Sequence, residues 1–248
     1  MKKQNVADQN SNSKEWHFTA NISEELARIG DVLFIGPKQK NLDEQVQMTR
    51  LLEAMATASI LHFPIRVRYA GERETPDFQL ESGGQRIGVE LSKIAVQDVE
   101  HARDLQRKEM KQPLTISSLF QKQSKPRTKD EVIAEGFLTP AMVFPPVEGY
   151  DSIWLEAVTA ELDDKTIVLQ GKHFRHGAED WLALRDMIGT TPNEIEHRIE
   201  SLSDVLALRW KPDWYSRVFL QHENFQCMVM FSFGGYKFSG EHNVGGLT

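Results

Sequence analysis

The sequence predicts one α/β domain, a mixed central sheet with helices on its faces and an elaborated C-terminal half. Short alternating apolar runs of strand character recur between segments whose apolar residues repeat at helical spacing. The 248 residues are 40% hydrophobic and 26% charged, a globular balance able to bury a sizeable core. That length is less than two domains of about 150 residues. Residues 21–240 are therefore expected to form a single domain, between a flexible polar tail over 1–20 and a Gly-rich tail over 241–248.

Several classes are set aside at this level. No apolar run approaches the roughly 18 residues of a spanning helix, so no membrane partner is expected. The N-terminus lacks the apolar stretch of a signal peptide, which makes the expected location cytoplasmic. A single cysteine, Cys227, excludes an intramolecular disulfide and a multi-cysteine zinc site. Its setting among Met228, Val229 and Met230 reads as that of a small buried hydrophobe. The net charge of −7 argues against broad binding to polyanions and for a focused contact at most.

The first helix is expected from Asn41, a capping residue, to Ile60, with Met48, Leu51, Leu52 and Met55 as its apolar stripe. Ile65–Ala70 alternates as a strand, and strands 76–80 and 86–92 follow. A charged helix over 98–111, a loop over 112–130 and a short strand at 141–144 come next. The second half reads as a helix over 151–169, a strand over 181–186 and a helix opened by Pro192 and running to about Leu208. Two closing strands, 216–222 and 225–233, lead into a loose tail from Ser239. Trp154, Trp181 and Trp210 are assigned to the core.

The chemistry concentrates in residues 75–93. Gly83-Gly84, between two alternating runs, marks a two-residue hairpin turn. That turn pairs Leu80 with Ile87 and Phe78 with Val89 on an apolar face. On the polar face it pairs Glu81 with Arg86, Gln79 with Gly88 and Asp77 with Glu90. A one-residue slip would destroy every one of these matches. Two carboxylates directly opposite each other have Cβ atoms about 4.5–5.5 Å apart, where like charges destabilise a sheet. Either a shared proton or a divalent cation would offset the repulsion. Gly88 is expected to leave the space beside Glu90 open to a ligand.

Pro76-Asp77-Phe78, the glycine turn and Gly88-Val89-Glu90-Leu91-Ser92 resemble the core of the PD-(D/E)XK nuclease superfamily. The resemblance covers about residues 42–111, more weakly the 181–186 segment and the strands after it. It implies a restriction-endonuclease-like core and a metal-binding nuclease, a hydrolase of phosphodiester bonds using Mg²⁺ or Mn²⁺. Asp77, Glu90, the backbone carbonyl of Leu91 and an upstream glutamate are then the implied ligands, with Glu44 preferred to Glu53. The implied partner is nucleic acid, DNA foremost, and a homodimer is compatible with it.

One departure stands out. The position of the family's lysine is Ser92, and Lys93 points to the opposite face in a regular strand. Lys93 swinging inward, Arg103 or Arg107 replacing it, and a site that binds without cutting all remain open. The last would make the chain a catalytically inactive binding or scaffold protein.

Just after this motif, residues 101–130 carry eight Lys and Arg against three acids. Arg103, Arg107, Lys108 and Lys111 suit phosphate-backbone contacts, or else form a solvated helix face. His173 and His176 read as surface histidines. Gly234-Gly235 and Gly245-Gly246 lack the strand–loop–helix context of a phosphate cradle.

Overall fold

The computed structural model describes residues 17–28, 39–69, 75–95, 128, 130–131, 150–188, 192–222 and 228–239. Its centre is an eight-stranded sheet whose strands lie side by side in chain order. β1 (His17–Ala20) is followed by a 3-10 helix (Ser23–Arg28) and helix α1 (Gln39–Thr57). β2 (Ile65–Tyr69), β3 (Phe78–Ser82) and β4 (Gln85–Ile94) complete an antiparallel meander with β1. Helix α2 (Tyr150–Leu169) precedes β5 (Glu179–Asp186), and helix α3 (Pro192–Ala207) precedes β6 (Arg217–His222). β4, β5 and β6 are parallel; β7 (Met228–Ser232) and β8 (Gly235–Ser239) close the sheet antiparallel.

Each face of the sheet owns one core. Met48, Leu51, Leu52 and Met55 of α1 pack on Val67, Phe78, Leu80, Val89 and Leu91, all essentially shielded from water. On the other face Trp154, Val158 and Leu162 of α2 and Ile199, Leu202 and Leu206 of α3 pack on Leu182, Leu184, Val218 and Leu220. The parallel strands are covered on both faces, which is why Trp181–Leu184 reads as a continuous apolar run rather than an alternating one. A buried polar knot ties the second core together. Asp186 accepts from Trp154 Nε1 (2.9 Å), from Arg198 (3.3 Å) and from His222 Nδ1 (3.1 Å), and the Arg198 guanidinium lies over the Trp154 ring.

Several expectations need correction. The sheet begins at His17, inside the stretch assigned to the N-terminal tail, because Phe18 and Ala20 bury against the first core in register with β2. α1 starts ahead of Asn41, which therefore is not its cap, and ends at Thr57 rather than Ile60. Ser239 belongs to β8, a strand absent from the sequence reading; Gly234, with φ of 102°, serves the β7–β8 turn. Trp154 and Trp181 are core residues and Trp210 packs at its margin, as expected. Among the described residues no helix is long and apolar enough to cross a membrane. The segments 98–111 and 141–144, most of 112–130, and Cys227 lie outside the described residues.

The segment before β5 is pressed against the meander. Thr75 bridges to Phe174, Ala178 N donates to Arg86 O, and a Cβ on Gly177 would stand 2.5 Å from Arg86 O and 2.9 Å from Gly88 N. Both are backbone atoms that cannot swing aside. Gly177→Ala should therefore destabilise the protein by about 1–3 kcal/mol, read as a lowered urea midpoint; an unchanged midpoint would show that this approach is looser than described.

Candidate metal and phosphoryl site

The hairpin forms with the register that its glycine turn dictates: Phe78 opposite Val89, Gln79 opposite Gly88, Leu80 opposite Ile87 and Glu81 opposite Arg86. Gly83 and Gly84 both take positive φ, at 58° and 77°, as a primed turn requires. The ladder ends at the Phe78–Val89 pair, one step before Asp77 and Glu90. Beyond it Asp77 acts through its side chain, and its Oδ2 accepts the Leu91 N–H at 2.8 Å. A carboxylate thus takes over where the ladder stops.

Glu90 is the most telling residue. It sits mid-strand in β4 and is 3% exposed. Its Oε1 is 2.7 Å from Lys165 Nζ, which arrives from α2, while its Oε2 is buried with no hydrogen-bond partner. Burial first, and then the charge of Glu90, push the Asp77 carboxyl up to about 7; the Leu91 N–H and Lys165 oppose, and Glu44 adds to the rise. Glu44 therefore belongs to the same electrostatic cluster, and it accepts the Tyr69 hydroxyl at 3.0 Å. Glu53 is exposed. Burial works to lower the Lys165 ammonium's pKa, but Glu90, Asp77 and Glu161 outweigh it and the net shift is upward.

Neighbouring groups hold this arrangement. Ser92 Oγ donates to Glu161 Oε1, one helical turn before Lys165. Tyr215 donates its hydroxyl to Lys165 O at 3.1 Å; burial, Glu90, Asp180 and Asp77 keep that phenol neutral by raising its pKa. Gln47 of α1 donates to Ala183 O at 2.9 Å and to Ser92 O at 3.3 Å, fixing α1 against β4 and β5.

Two expectations about the site change. Lys93 stands in register with Arg185. It alternates with Glu90 and Ser92 onto the face of Val89 and Leu91, so pleating turns it away from the acids. Among the described residues the basic group that reaches them is Lys165. The space at Gly88 is also filled: a Cβ there would lie 2.5 Å from Asp180 Oδ1 and 3.0 Å from Pro76 Cγ. Asp180 in turn takes the Gly177 N–H at 3.0 Å and His176 Nδ1 at 2.6 Å; His176 is exposed, as expected. Arg103, Arg107, Lys108 and Lys111 lie outside the described residues.

Lys165 was findable. The buried residues of α2 are Trp154, Val158, Leu162 and Leu169, and a residue at 165 continues that spacing. A lysine on an apolar stripe is a group that the core must pair.

The donor set suits a hard divalent cation. It is all oxygen, one carboxylate oxygen is buried without a partner, and a second carboxyl titrates near neutrality because it is buried beside Glu90. Among the described residues no three acids or histidines make a complete ligand set, and Mg²⁺ sites of this kind retain several waters.

An ordinary carboxylate titrates at 3.8, so from about pH 4 to 7 the folded chain retains the Asp77 proton that the unfolded chain has lost. Stability should fall with rising pH across that window in metal-free buffer. Asp77→Asn retains an acceptor for the Leu91 N–H and removes the titration. Its stability relative to wild type should be greater at pH 8 than at pH 4, by up to about 4 kcal/mol. Parallel stability–pH curves from chemical denaturation in EDTA would rule out the raised pKa. Comparison of the chain with protein-family models, curated proteins and solved structures gives no match.

Proposed function

We propose that the chain is a metal-dependent, nuclease-like phosphodiesterase with a restriction-endonuclease-like core of PD-(D/E)XK type. The observation that carries this reading is the Glu90 carboxylate, buried, ion-paired to Lys165 through one oxygen and unpartnered at the other, beside a second carboxyl on Asp77. The element order supports it: helix α1, the antiparallel strands β2–β3–β4, helix α2, then β5 parallel to β4. A basic group at the acid pair favours an enzyme over a silent binding module.

Asp77 and Glu90 would hold Mg²⁺ or Mn²⁺, with the Leu91 carbonyl and Glu44 as further ligands implied by the family resemblance. Such an ion lowers the pKa of bound water and neutralises phosphate charge. The protein's own groups do the rest. With its pKa raised, Lys165 is an ammonium at neutral pH, so it donates to a phosphate oxygen and is not a base. It stands in for the strand lysine that Ser92 replaces. Tyr215, neutral and tied to the Lys165 carbonyl, is neither nucleophile nor base. Arg103, Arg107, Lys108 and Lys111 would contact the nucleic-acid backbone.

Asp77→Ala should abolish Mg²⁺-dependent cleavage of DNA or RNA, and Lys165→Met should lower kcat by about 10²–10³-fold, the scale of losing one charge-stabilising donor. Cleavage persisting at wild-type rate in both variants would assign it to another site. Lys108→Glu with Lys111→Glu should weaken binding to a DNA duplex and flatten its salt dependence, measured by fluorescence anisotropy between 50 and 200 mM salt. Unchanged binding would remove that segment from the interface.

A further inference from the structure

We propose that Ser92 is a positioning residue that holds the Glu161 carboxylate off Lys165, so that the ammonium stays on Glu90. The inference rests on the reading above and concerns how its cation is aimed. Glu161 and Lys165 are four residues apart on α2, with the acid nearer the N-terminus, the spacing and order that favour an ion pair along a helix. Glu90 competes for the same ammonium from β4. Left alone, the local pair has the entropic advantage, since both partners sit on one rigid helix.

The structure records the opposite outcome. Lys165 Nζ is 2.7 Å from Glu90 Oε1, and no Glu161–Lys165 ion pair forms. Glu161 Oε1 instead accepts the hydroxyl of Ser92. Ser92 is two residues beyond Glu90 on β4 and shares its face, so its Oγ meets the Glu161 carboxylate between sheet and helix. A hydroxyl suits this role because it supplies one donor and no charge. A lysine at 92 would bring a second cation into the space between Glu90 and Glu161. The helix is meanwhile fixed from the other side: Tyr215 holds Lys165 O, and Trp214 Nε1 holds Thr166 Oγ1 at 2.9 Å. Only the side chain of Lys165 therefore has a choice of partner, and Ser92 makes it.

The test is a suppressor experiment. Ser92→Ala should release Glu161 to capture Lys165, lowering kcat on an oligonucleotide duplex with Mg²⁺ by about tenfold while KM stays within about twofold, a loss of transition-state rather than ground-state contact. Adding Glu161→Gln to that variant removes the competing charge and should bring kcat back to within about threefold of wild type. A structural role for the Ser92–Glu161 bond would make the double variant worse than the single one. The second readout needs no metal and no turnover: a crystal structure of metal-free Ser92→Ala should show Lys165 Nζ on Glu161. An unchanged kcat in Ser92→Ala, a double variant slower than the single one, or Lys165 still on Glu90 in the crystal would each overturn the proposal. Should the wild-type protein cleave neither DNA nor RNA, the enzymatic reading falls by itself, and the crystal structure alone decides the role of Ser92.

Discussion

The arrangement around β4 depends on one ion pair, Lys165 with Glu90, closed at 2.7 Å with the carboxylate almost wholly out of water. Withdrawing two such charges from solvent costs several kcal/mol each, and their attraction repays it only when every remaining polar atom is also satisfied. Here that condition fails. Glu90 Oε2 has no partner, burial and then Glu90 push the Asp77 carboxyl up to about 7, and Glu44 and Glu161 add further negative charge to the same cluster. Among the described residues one ammonium stands amid four acids. Replacing Glu90 and Lys165 together by apolar side chains would leave the sheet as stable or more so, whereas replacing Glu90 alone would strand the Lys165 ammonium. Perturbed titrations of this kind gather at functional sites.

Three parts of the chain, remote in sequence, have to agree for this cluster to exist. The hairpin register ends one step short of Asp77 and Glu90, and Asp77 reaches β4 through its side chain, which accepts the Leu91 N–H. α1 contributes Glu44, steadied by Tyr69, and is pinned to the parallel strands by Gln47. α2 contributes Lys165 from the opposite layer. The site therefore lies where the antiparallel meander turns into the parallel half of the sheet, with β4 serving both.

The sequence discloses these parts unequally, for physical reasons. The hairpin is legible because both of its determinants are local: two glycines free to adopt positive φ, and an alternation that admits one register. Glu44 is legible because it continues the stripe of Met48, Leu51 and Met55. Lys165 is not found by motif, because its partner lies 75 residues away and the two meet only through the crossover from β4 to α2. Its trace is a charge on the apolar stripe of α2, which local propensity does not penalise and only tertiary packing explains. Asp180 escapes notice for a related reason: it fills the space that the missing side chain of Gly88 leaves, and that space is a property of two paired strands. β1 and β8 are short edge strands that take their place from the sheet they join, so neither is marked by a long pattern of its own.

A cation supplied by a helix behaves differently from one supplied by the strand itself. A lysine at position 92 would take its place from the pleat of β4 and tolerate some movement of the layers. Lys165 depends on where α2 lies, so the second core becomes part of the site's geometry. Two of the anchors of α2 are Trp154, hydrogen-bonded to Asp186 and stacked by Arg198, and Lys165–Thr166, held by Tyr215 and Trp214. Those points are separated by about 16 Å of helix, eleven residues at 1.5 Å each. Both anchors end on β5, β6 or the segment leading into β6, the strands beside β4. The buried Asp186–Arg198–His222 knot, although remote from the acids, thus fixes the distance from which Lys165 reaches them. Its charged residues define the placement of one helix, which a purely apolar contact would specify less sharply.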